Sequence, residues 1–111
     1  MTITNPALVE FRFLDEMFED DYFPDPLVEK CVLALKQLCE KLEAKPDKAG
    51  AIALSEAAVE TINALMPEFI KQDSELETGA RDAICDDFHM ILSSYGYEVD
   101  EVDEFVGNRD F

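Results

Sequence analysis

Residues 25–42 read DPLVEKCVLALKQLCEKL and carry the clearest helical pattern in this chain. Asp25 and Pro26 form a typical helix start, with Asp at the N-cap and Pro at the first helical position. The apolar residues that follow recur every three or four positions, which is the period of an amphipathic helix: Leu27, Val28, Cys31, Val32, Leu35, Leu38, Cys39 and Leu42. Lys45-Pro46 ends the pattern, so one helix with one buried face is predicted here.

The same period extends in both directions along the chain. Upstream, Asn5-Pro6 predicts a first helix with an apolar face made of Ala7, Leu8, Phe11, Leu14, Met17 and Phe18. Downstream, Asp47 is the expected N-cap of a third helix that continues through Pro67, where a kink is expected, to Ile70. The predicted inner face of this third helix consists of Ala51, Ser55, Ala58, Val59, Ile62, Leu65, Met66, Phe69 and Ile70.

A fourth helix is predicted to begin at a capping box formed by Ser74 and Glu77 and to end at Gly96. A short fifth helix, capped by Asp100, is expected to reach Val106. No segment alternates apolar and polar residues at the period of a strand. The sequence therefore predicts an all-α fold, an antiparallel bundle of four main helices plus a short C-terminal helix, in a single domain over residues 1–111.

The charge balance narrows the range of partners. Acids outnumber bases 26 to 9, for a net charge of −17. Residues 1–29 and 72–111 carry the excess, whereas residues 30–71 are neutral, so two acidic ends flank a neutral middle. Direct binding of nucleic acid is excluded, because that binding depends on cationic side chains, and docking on anionic lipid is disfavoured for the same reason.

Cysteine usage and hydropathy indicate a soluble, cytoplasmic protein. Cys31 and Cys39 lie eight residues apart on one predicted helix, about 12 Å along its axis, which is too far for a disulfide. With Cys85 they are expected to be reduced thiols that serve as small core residues. No signal peptide is recognisable, and no apolar run approaches the ~18 residues that span a bilayer. The oligomeric state, monomer or homodimer, is left open.

Residues that could support catalysis or metal binding are few. Asp86 and His89 form one acid-x-x-His pair, but helical di-metal sites need two such pairs and two further glutamates. Both side chains are predicted to face solvent, as are Glu56 and Glu60. The four glycines stand singly, so there is no phosphate-binding loop. No catalytic residue, no metal site and no cofactor are predicted, and the protein is not expected to be an enzyme.

The acidic loop at 19–26 combines four carboxylates with Tyr22 and Phe23. The two aromatic side chains either tuck beneath the loop or form an exposed patch that anchors a basic partner. The acidic segment Glu98–Glu104 also has two interpretations: a solvated surface or a surface that contacts a partner. The candidate partner-binding residues are Asp20, Asp21, Tyr22, Phe23, Asp25, Asp82, Asp86, Asp100, Glu101, Asp103 and Glu104.

Several motifs carry a resemblance to a known family: FLDEMFEDDYFP at 13–24, LVEK at 27–30, SELETGARDAI at 74–84, DDF at 86–88, YGY at 95–97 and the terminal RDF. The chain resembles a bacterial family of small acidic helical proteins catalogued as a domain of unknown function. The resemblance implies a bacterial single-domain protein and transfers no catalytic residue. It draws attention to Arg81, which forms an i,i+4 pair with Glu77 in sequence, and to Arg109. Both arginines are expected to form ion pairs at the edge of the core, with Asp87 or with Asp20 and Asp21.

The function predicted from these features is a non-enzymatic acidic binding protein that neutralises a basic protein partner. An immunity protein against a nuclease toxin is its sharpest form, and a nucleic-acid mimic is a close variant, because clustered charge speeds association with an oppositely charged surface. The alternative is a housekeeping or structural helical module, with a homodimer among its forms, in which the charge serves only solubility.

Overall fold

A computed structural model describes residues 3–111, and no strand occurs in that range. The all-helical prediction is thereby confirmed, although three of the helices are short. The helices in chain order are α1 (Asp15–Glu19), α2 (Asp25–Leu42), α3 (Lys48–Asn63), α4 (Met66–Lys71), α5 (Thr78–Ser94) and α6 (Asp103–Val106). In the same range, no helix is both long and apolar enough to cross a membrane.

Helix α2 matches its sequence pattern closely. Pro24 occupies the N-cap position and Pro26 lies in the first turn, so the helix begins one residue before the predicted start. Every residue of the predicted stripe is buried except Val32, which is half-buried. Cys31 and Cys39 are free thiols inside the core, and burial raises the pKa of each to about 12. Their predicted role as small, unpaired core residues is confirmed.

The region predicted as a third helix is divided into α3 and α4. Asp47 caps α3 as predicted, since its Oδ1 accepts the Gly50 N–H at 2.9 Å. The helix ends at Asn63, and Pro67 lies in the first turn of α4, where a missing N–H costs no hydrogen bond. The disruption predicted near Pro67 is therefore present, but it divides the predicted helix into two and does not only kink it. The new start also changes which face is buried, and Ile70 is 59% exposed rather than part of the core.

The N-terminal segment forms a capped turn rather than the predicted long helix. Asn5 does act as a cap, because its Oδ1 accepts the Ala7 N–H at 3.0 Å. The helical turn stops before residue 11, and α1 begins only at Asp15 after Leu14, whose φ of 54° is left-handed. A left-handed residue of this kind cannot continue an α-helix, so the prediction of a continuous helix from Pro6 to Phe18 is wrong.

Glu43 holds this N-terminal segment in place. Its carboxylate accepts the backbone N–H groups of Thr4 and Asn5, each at 3.2 Å, together with the hydroxyls of Thr4 and Tyr95. The Asn5 amide also donates to the Ser94 carbonyl at 2.7 Å. The hydrogen bond from the Thr4 hydroxyl is the largest of the effects that lower the pKa of Glu43, to about 2. The segment is thus attached to the ends of both α2 and α5.

The two ends of α5 differ in how well they follow the sequence. The predicted capping box is wrong: Ser74 is buried with no hydrogen bond to its hydroxyl, and Glu77 makes no side-chain cap bond. The predicted C-terminal glycine is confirmed, because Gly96 has a φ of 89° and the Tyr97 N–H donates to the Leu92 carbonyl at 3.1 Å. This pattern is the one that ends a helix with a left-handed glycine.

The C-terminal residues close the core over α3. Helix α6 begins at Asp103, later than predicted and without a cap from Asp100, and it packs on α3. The amide of Asn63 accepts the Asp110 N–H at 2.9 Å and donates to the Asn108 carbonyl at 3.1 Å. Phe105 is fully buried, so the C-terminal segment is part of the same hydrophobic core as the long helices.

Candidate functional site

A groove lies between residues 11–16 and α5, and it joins the two acidic ends of the chain. Its volume is about 330 Å³. Asp15 and Glu16 line one side, and Asp86 and Asp87 line the other. The remaining lining residues are Phe11, Arg12, Leu14 and Ala83. We call this feature the acidic groove, because carboxylates from both ends of the sequence meet in it.

Asp87 anchors one wall of the acidic groove to the other. Its Oδ2 accepts the Leu14 N–H at 2.7 Å, which supplies a partner for the backbone where it adopts the left-handed conformation. Burial is the main cause that raises the pKa of Asp87 to about 6, and the negative charges of Asp86 and Glu16 act in the same direction. The hydrogen bond from Leu14 opposes this shift without overcoming it.

Positive charge in the acidic groove comes from Arg12 alone among its lining residues. The Arg12 Nε lies 3.4 Å from Asp15 Oδ1, and the arginine side chain is largely exposed. An exposed pair of this kind contributes little to stability. Within residues 3–111, neither Glu16, Asp86 nor Asp87 forms an ion pair with a lysine or arginine. The groove therefore keeps a strong negative charge.

Three of the predicted site residues extend this negative surface toward α6. Asp82, Asp86 and Asp103 are all exposed and all lie close enough to Cys85 for their charges to raise its pKa, although burial is the larger cause. Arg109 opposes this effect and pairs with Asp103, with 2.5 Å between Nη1 and Oδ1. The structure thus brings Asp82 and Asp103 to the same part of the surface as Asp86.

The other predicted residues near the C-terminus surround Lys48. Glu104 Oε1 lies 2.6 Å from Lys48 Nζ, and this contact is the main cause that raises the pKa of Lys48. Asp100 adds to the same shift through its charge, and Glu101 is exposed nearby in sequence. Lys48 thus neutralises part of this charge, as Arg12 does in the acidic groove.

The acidic loop separates into exposed carboxylates and one buried ring. Asp20 accepts the Tyr22 N–H at 2.9 Å and so shapes the turn, while Asp21 and Asp25 are exposed. Tyr22 is 45% exposed, but Phe23 is only 4% exposed and packs edge to face against Tyr22. Phe23 is therefore a core residue and not an exposed anchor. None of these loop residues lines the acidic groove.

The predicted ion pairs of the two arginines are not formed. Arg109 pairs with Asp103 rather than with Asp20, Asp21 or Asp87. Arg81 makes no ion pair within residues 3–111, and its Nε is buried without a partner. Asp87 binds the backbone of Leu14 instead. Sequence spacing could not reveal that contact, because 73 residues separate its two partners.

Among residues 3–111, no three or more His, Cys, Asp or Glu side chains are arranged to hold a metal ion. Both Asp86 and His89 are exposed on α5, as their positions on the helix indicate.

The charge of the acidic groove predicts a stability that depends on salt. Because repulsion among carboxylates opposes folding, raising NaCl from near zero to ~0.3 M should raise the melting temperature. Screening that adds about 1 kcal/mol corresponds to a rise of about 4–8 °C for a domain of this size. Thermal unfolding followed by circular dichroism measures this rise. Sucrose at matched osmolality is the control, and a melting temperature that does not change with salt would contradict the prediction.

These features define an all-helical acidic protein with a groove between its N-terminal segment and α5. The chain belongs to a family of unknown function, DUF5713, whose model matches residues 7–111. This match confirms the resemblance carried by the motifs between Phe13 and the C-terminal RDF. Comparison with curated proteins and with solved structures found no match.

Proposed function

We propose that this protein is a non-enzymatic binding protein whose acidic groove receives a basic surface of another protein. The observation that carries the proposal is the meeting of Asp15 and Glu16 with Asp86 and Asp87 in one groove. Mutual repulsion among clustered carboxylates destabilises the folded protein, and a partner rich in lysine and arginine relieves that repulsion on binding. The sharpest form of the proposal is an immunity protein that covers the basic active site of a nuclease toxin.

The alternative, a structural module that uses its charge only for solubility, requires no particular arrangement of the carboxylates. An even distribution over the surface would serve solubility equally well. The groove instead leaves three carboxylates without a cationic partner in the described chain, two of them on α5. Clustering of this kind favours the binding function.

The proposal includes two further features. An antiparallel arrangement of α2 and α3 is expected, because only residues 43–47 connect these helices. A cytoplasmic location is expected as well, because three cysteines remain free thiols in the structure and such thiols persist in a reducing compartment.

The test compares two variants with the same change in net charge. The groove variant carries Glu16→Gln and Asp86→Asn in the acidic groove, with Asp82→Asn on the adjoining surface of α5. The control carries Glu56→Gln, Asp73→Asn and Glu75→Gln at other exposed positions. Each is used with the wild type to capture proteins from the host lysate at low and at high salt. Any captured protein is purified, and its affinity for the three baits is measured.

The proposal predicts a basic protein that binds the wild type and the control variant alike. Loss of three charge contacts in the groove variant should weaken that binding by about tenfold or more, and added salt should weaken it further. If the two variants bind equally, or if the captured protein is acidic, the groove is not the contact surface. A wild type that binds no basic protein under any growth condition would favour the structural module.

A further inference from the structure

An apolar pocket adjoins the acidic groove. Its volume is about 470 Å³, and its apolar walls are Phe11, Phe13, Phe18, Val32 and Leu33. Leu33 is 56% exposed and lies on the solvent side of α2, where Lys30, Lys36 and Gln37 are exposed as well. Phe11 and Phe18 are half-buried, and Phe11 packs edge to face on Phe13 at 4.9 Å between ring centres. We call this feature the apolar pocket.

The apolar pocket and the acidic groove form one continuous surface. Phe11, Arg12 and Asp15 line both of them. A side chain in the apolar pocket would therefore lie beside the carboxylate of Asp15, and the residues next to it would lie over Glu16, Asp86 and Asp87. Glu29 and Lys36 add one carboxylate and one ammonium group to the wall of the apolar pocket, so the excess of negative charge lies on the side of the acidic groove. Apolar burial and negative charge are thus within reach of one short peptide segment.

Arg12 shows that a cationic group fits where the acidic groove and the apolar pocket meet. Its guanidinium pairs with Asp15 where the groove and the pocket meet, while its side chain remains largely exposed. A pair this exposed is held weakly, so an arginine or lysine from another protein can replace Arg12 at Asp15. The chain's own arginine thus occupies the position that a cation of the partner would take.

We infer that this surface binds a basic amphipathic segment of a partner protein, with one large apolar side chain in the apolar pocket and lysine or arginine residues over the acidic groove. The inference rests on the proposed function and adds the anchor and its position. Charge complementarity selects this occupant, because a second copy of a chain with a net charge of −17 would be repelled from the same carboxylates. The apolar anchor supplies affinity that salt does not screen, and the cations supply orientation and speed of association.

The test measures binding of two fluorescein-labelled peptides of about 15 residues, long enough to form a marginal helix on their own. One contains leucine and lysine at helical spacing, and in the other every leucine is replaced by serine while the lysines are kept. Fluorescence anisotropy at ~0.15 M salt, where the Debye length is about 8 Å, gives the two affinities. The leucine-containing peptide is expected to bind wild type at least tenfold more tightly, since each tenfold step requires only about 1.4 kcal/mol.

Three variants locate the binding surface. Leu33→Gln should weaken binding of the leucine-containing peptide by about tenfold, as expected for loss of an apolar contact with an anchor. Ile70→Gln is the matched control, because Ile70 is equally exposed on a helix but lies outside the pocket, and it should leave the affinity unchanged. Arg12→Gln should strengthen binding about two- to fivefold, because it removes the competing cation at the cost of one surface ion pair. All three positions are exposed, so thermal melting should show each variant folded.

Each possible result has a definite meaning. Equal binding of the two peptides, with loss of binding in the groove variant, would overturn the apolar anchor and leave the acidic binding function intact. Equal affinities for Leu33→Gln and Ile70→Gln would also overturn it. If neither peptide binds even at low salt, both the anchor and the proposed function fail. If sedimentation shows a wild-type dimer that Leu33→Gln dissociates, the pocket belongs to a second copy, which contradicts the inference.

Discussion

Replacing Phe105 with alanine is expected to lower the free energy of unfolding by about 3–5 kcal/mol, the usual cost of emptying a fully buried phenylalanine site. The ring is fully buried although it lies six residues from the C-terminus, in a segment rich in carboxylates. It contributes to the core from α6, which packs on α3. Urea unfolding, monitored by circular dichroism, measures the loss.

Two further variants keep this prediction testable if the alanine variant does not fold. Phe105→Leu preserves most of the volume and should cost less than about 1.5 kcal/mol. Ile70→Ala is the control for an exposed apolar residue on a helix, and it should change the free energy of unfolding by no more than about 0.5 kcal/mol. A Phe105→Ala protein as stable as the Ile70→Ala control would show that the C-terminal segment is not part of the core.

Because Asp87 accepts a hydrogen bond from the Leu14 N–H, two substitutions of Asp87 should differ in their effect on the free energy of unfolding. Asp87→Ala leaves the Leu14 N–H, on a fully buried residue, without an acceptor. Asp87→Asn keeps an acceptor and removes the charge. The alanine variant should therefore be less stable than the asparagine variant by about 1–3 kcal/mol, which is the cost of an unsatisfied buried donor. Urea unfolding of the two variants side by side measures this difference.

The pH dependence of the Asp87 substitutions follows from the direction of the pKa shift. The pKa of Asp87 is about 6 in the folded chain and 3.8 as the ordinary value, so the folded state holds the proton more tightly. Wild-type stability due to this group is therefore present below pH ~4, falls as the pH rises to ~6 and stays lower above that value. Asp87→Asn should be more stable than wild type at pH 8 by about 1 kcal/mol, reduced from the full shift because the carboxyl is partly exposed.

Glu43, which wild type and Asp87→Asn share, has a pKa shift in the opposite direction. Its pKa is lowered to about 2, so its contribution is present above pH ~4.5 and is lost as the pH falls toward 2. The two carboxyl groups therefore act in different pH ranges and in opposite directions. The stability difference between wild type and Asp87→Asn should grow from pH 4 to pH 6 and then level off. A difference that does not change over this range would show that Asp87 titrates normally.

The long helices are the part of the fold that local pattern predicts well. The stripe of α2 is buried nearly as predicted, and the Asp47 cap and the Gly96 terminus occur where their residue types indicate. These features depend on contacts within one or two turns of a helix, and that is the range over which residue spacing carries information. The charge of the two chain ends is likewise a property of composition alone.

The errors arise where distant contacts override local preference. Asn5 and Pro6 do begin a helical turn, but it stops before residue 11, and the bond from the Leu14 N–H to Asp87 holds the next segment in a left-handed conformation against α5. Pro67 lies in the first turn of α4, because α3 ends at Asn63 and only Ala64 and Leu65 separate the two helices. The capping box at Ser74 fails because that residue is buried beneath the turn between α4 and α5, where its N–H donates to the Phe69 carbonyl.

The candidate site likewise includes residues that helical position predicts and residues that only tertiary contacts bring together. Exposure of Asp82 and Asp86 on α5 follows from helical position, and both belong to the predicted set. The role of Asp15, Glu16 and Asp87 could not be predicted, because only the docking of residues 11–16 on α5 brings these carboxylates together. Burial of Phe23 beside an exposed Tyr22 was also undecided by sequence, since both rings occupy the same acidic loop.

Residue order alone determined the helical class of this protein, the buried stripes of its long helices and the strong negative charge of its two ends. Tertiary structure alone decided where the N-terminal segment lies, which carboxylates share a groove and which apolar residues remain exposed beside it. The physical reason is the range of the interactions involved. Helical periodicity and caps act between neighbouring residues, whereas the bonds from Leu14 to Asp87 and from Asn63 to Asn108 join residues 73 and 45 positions apart.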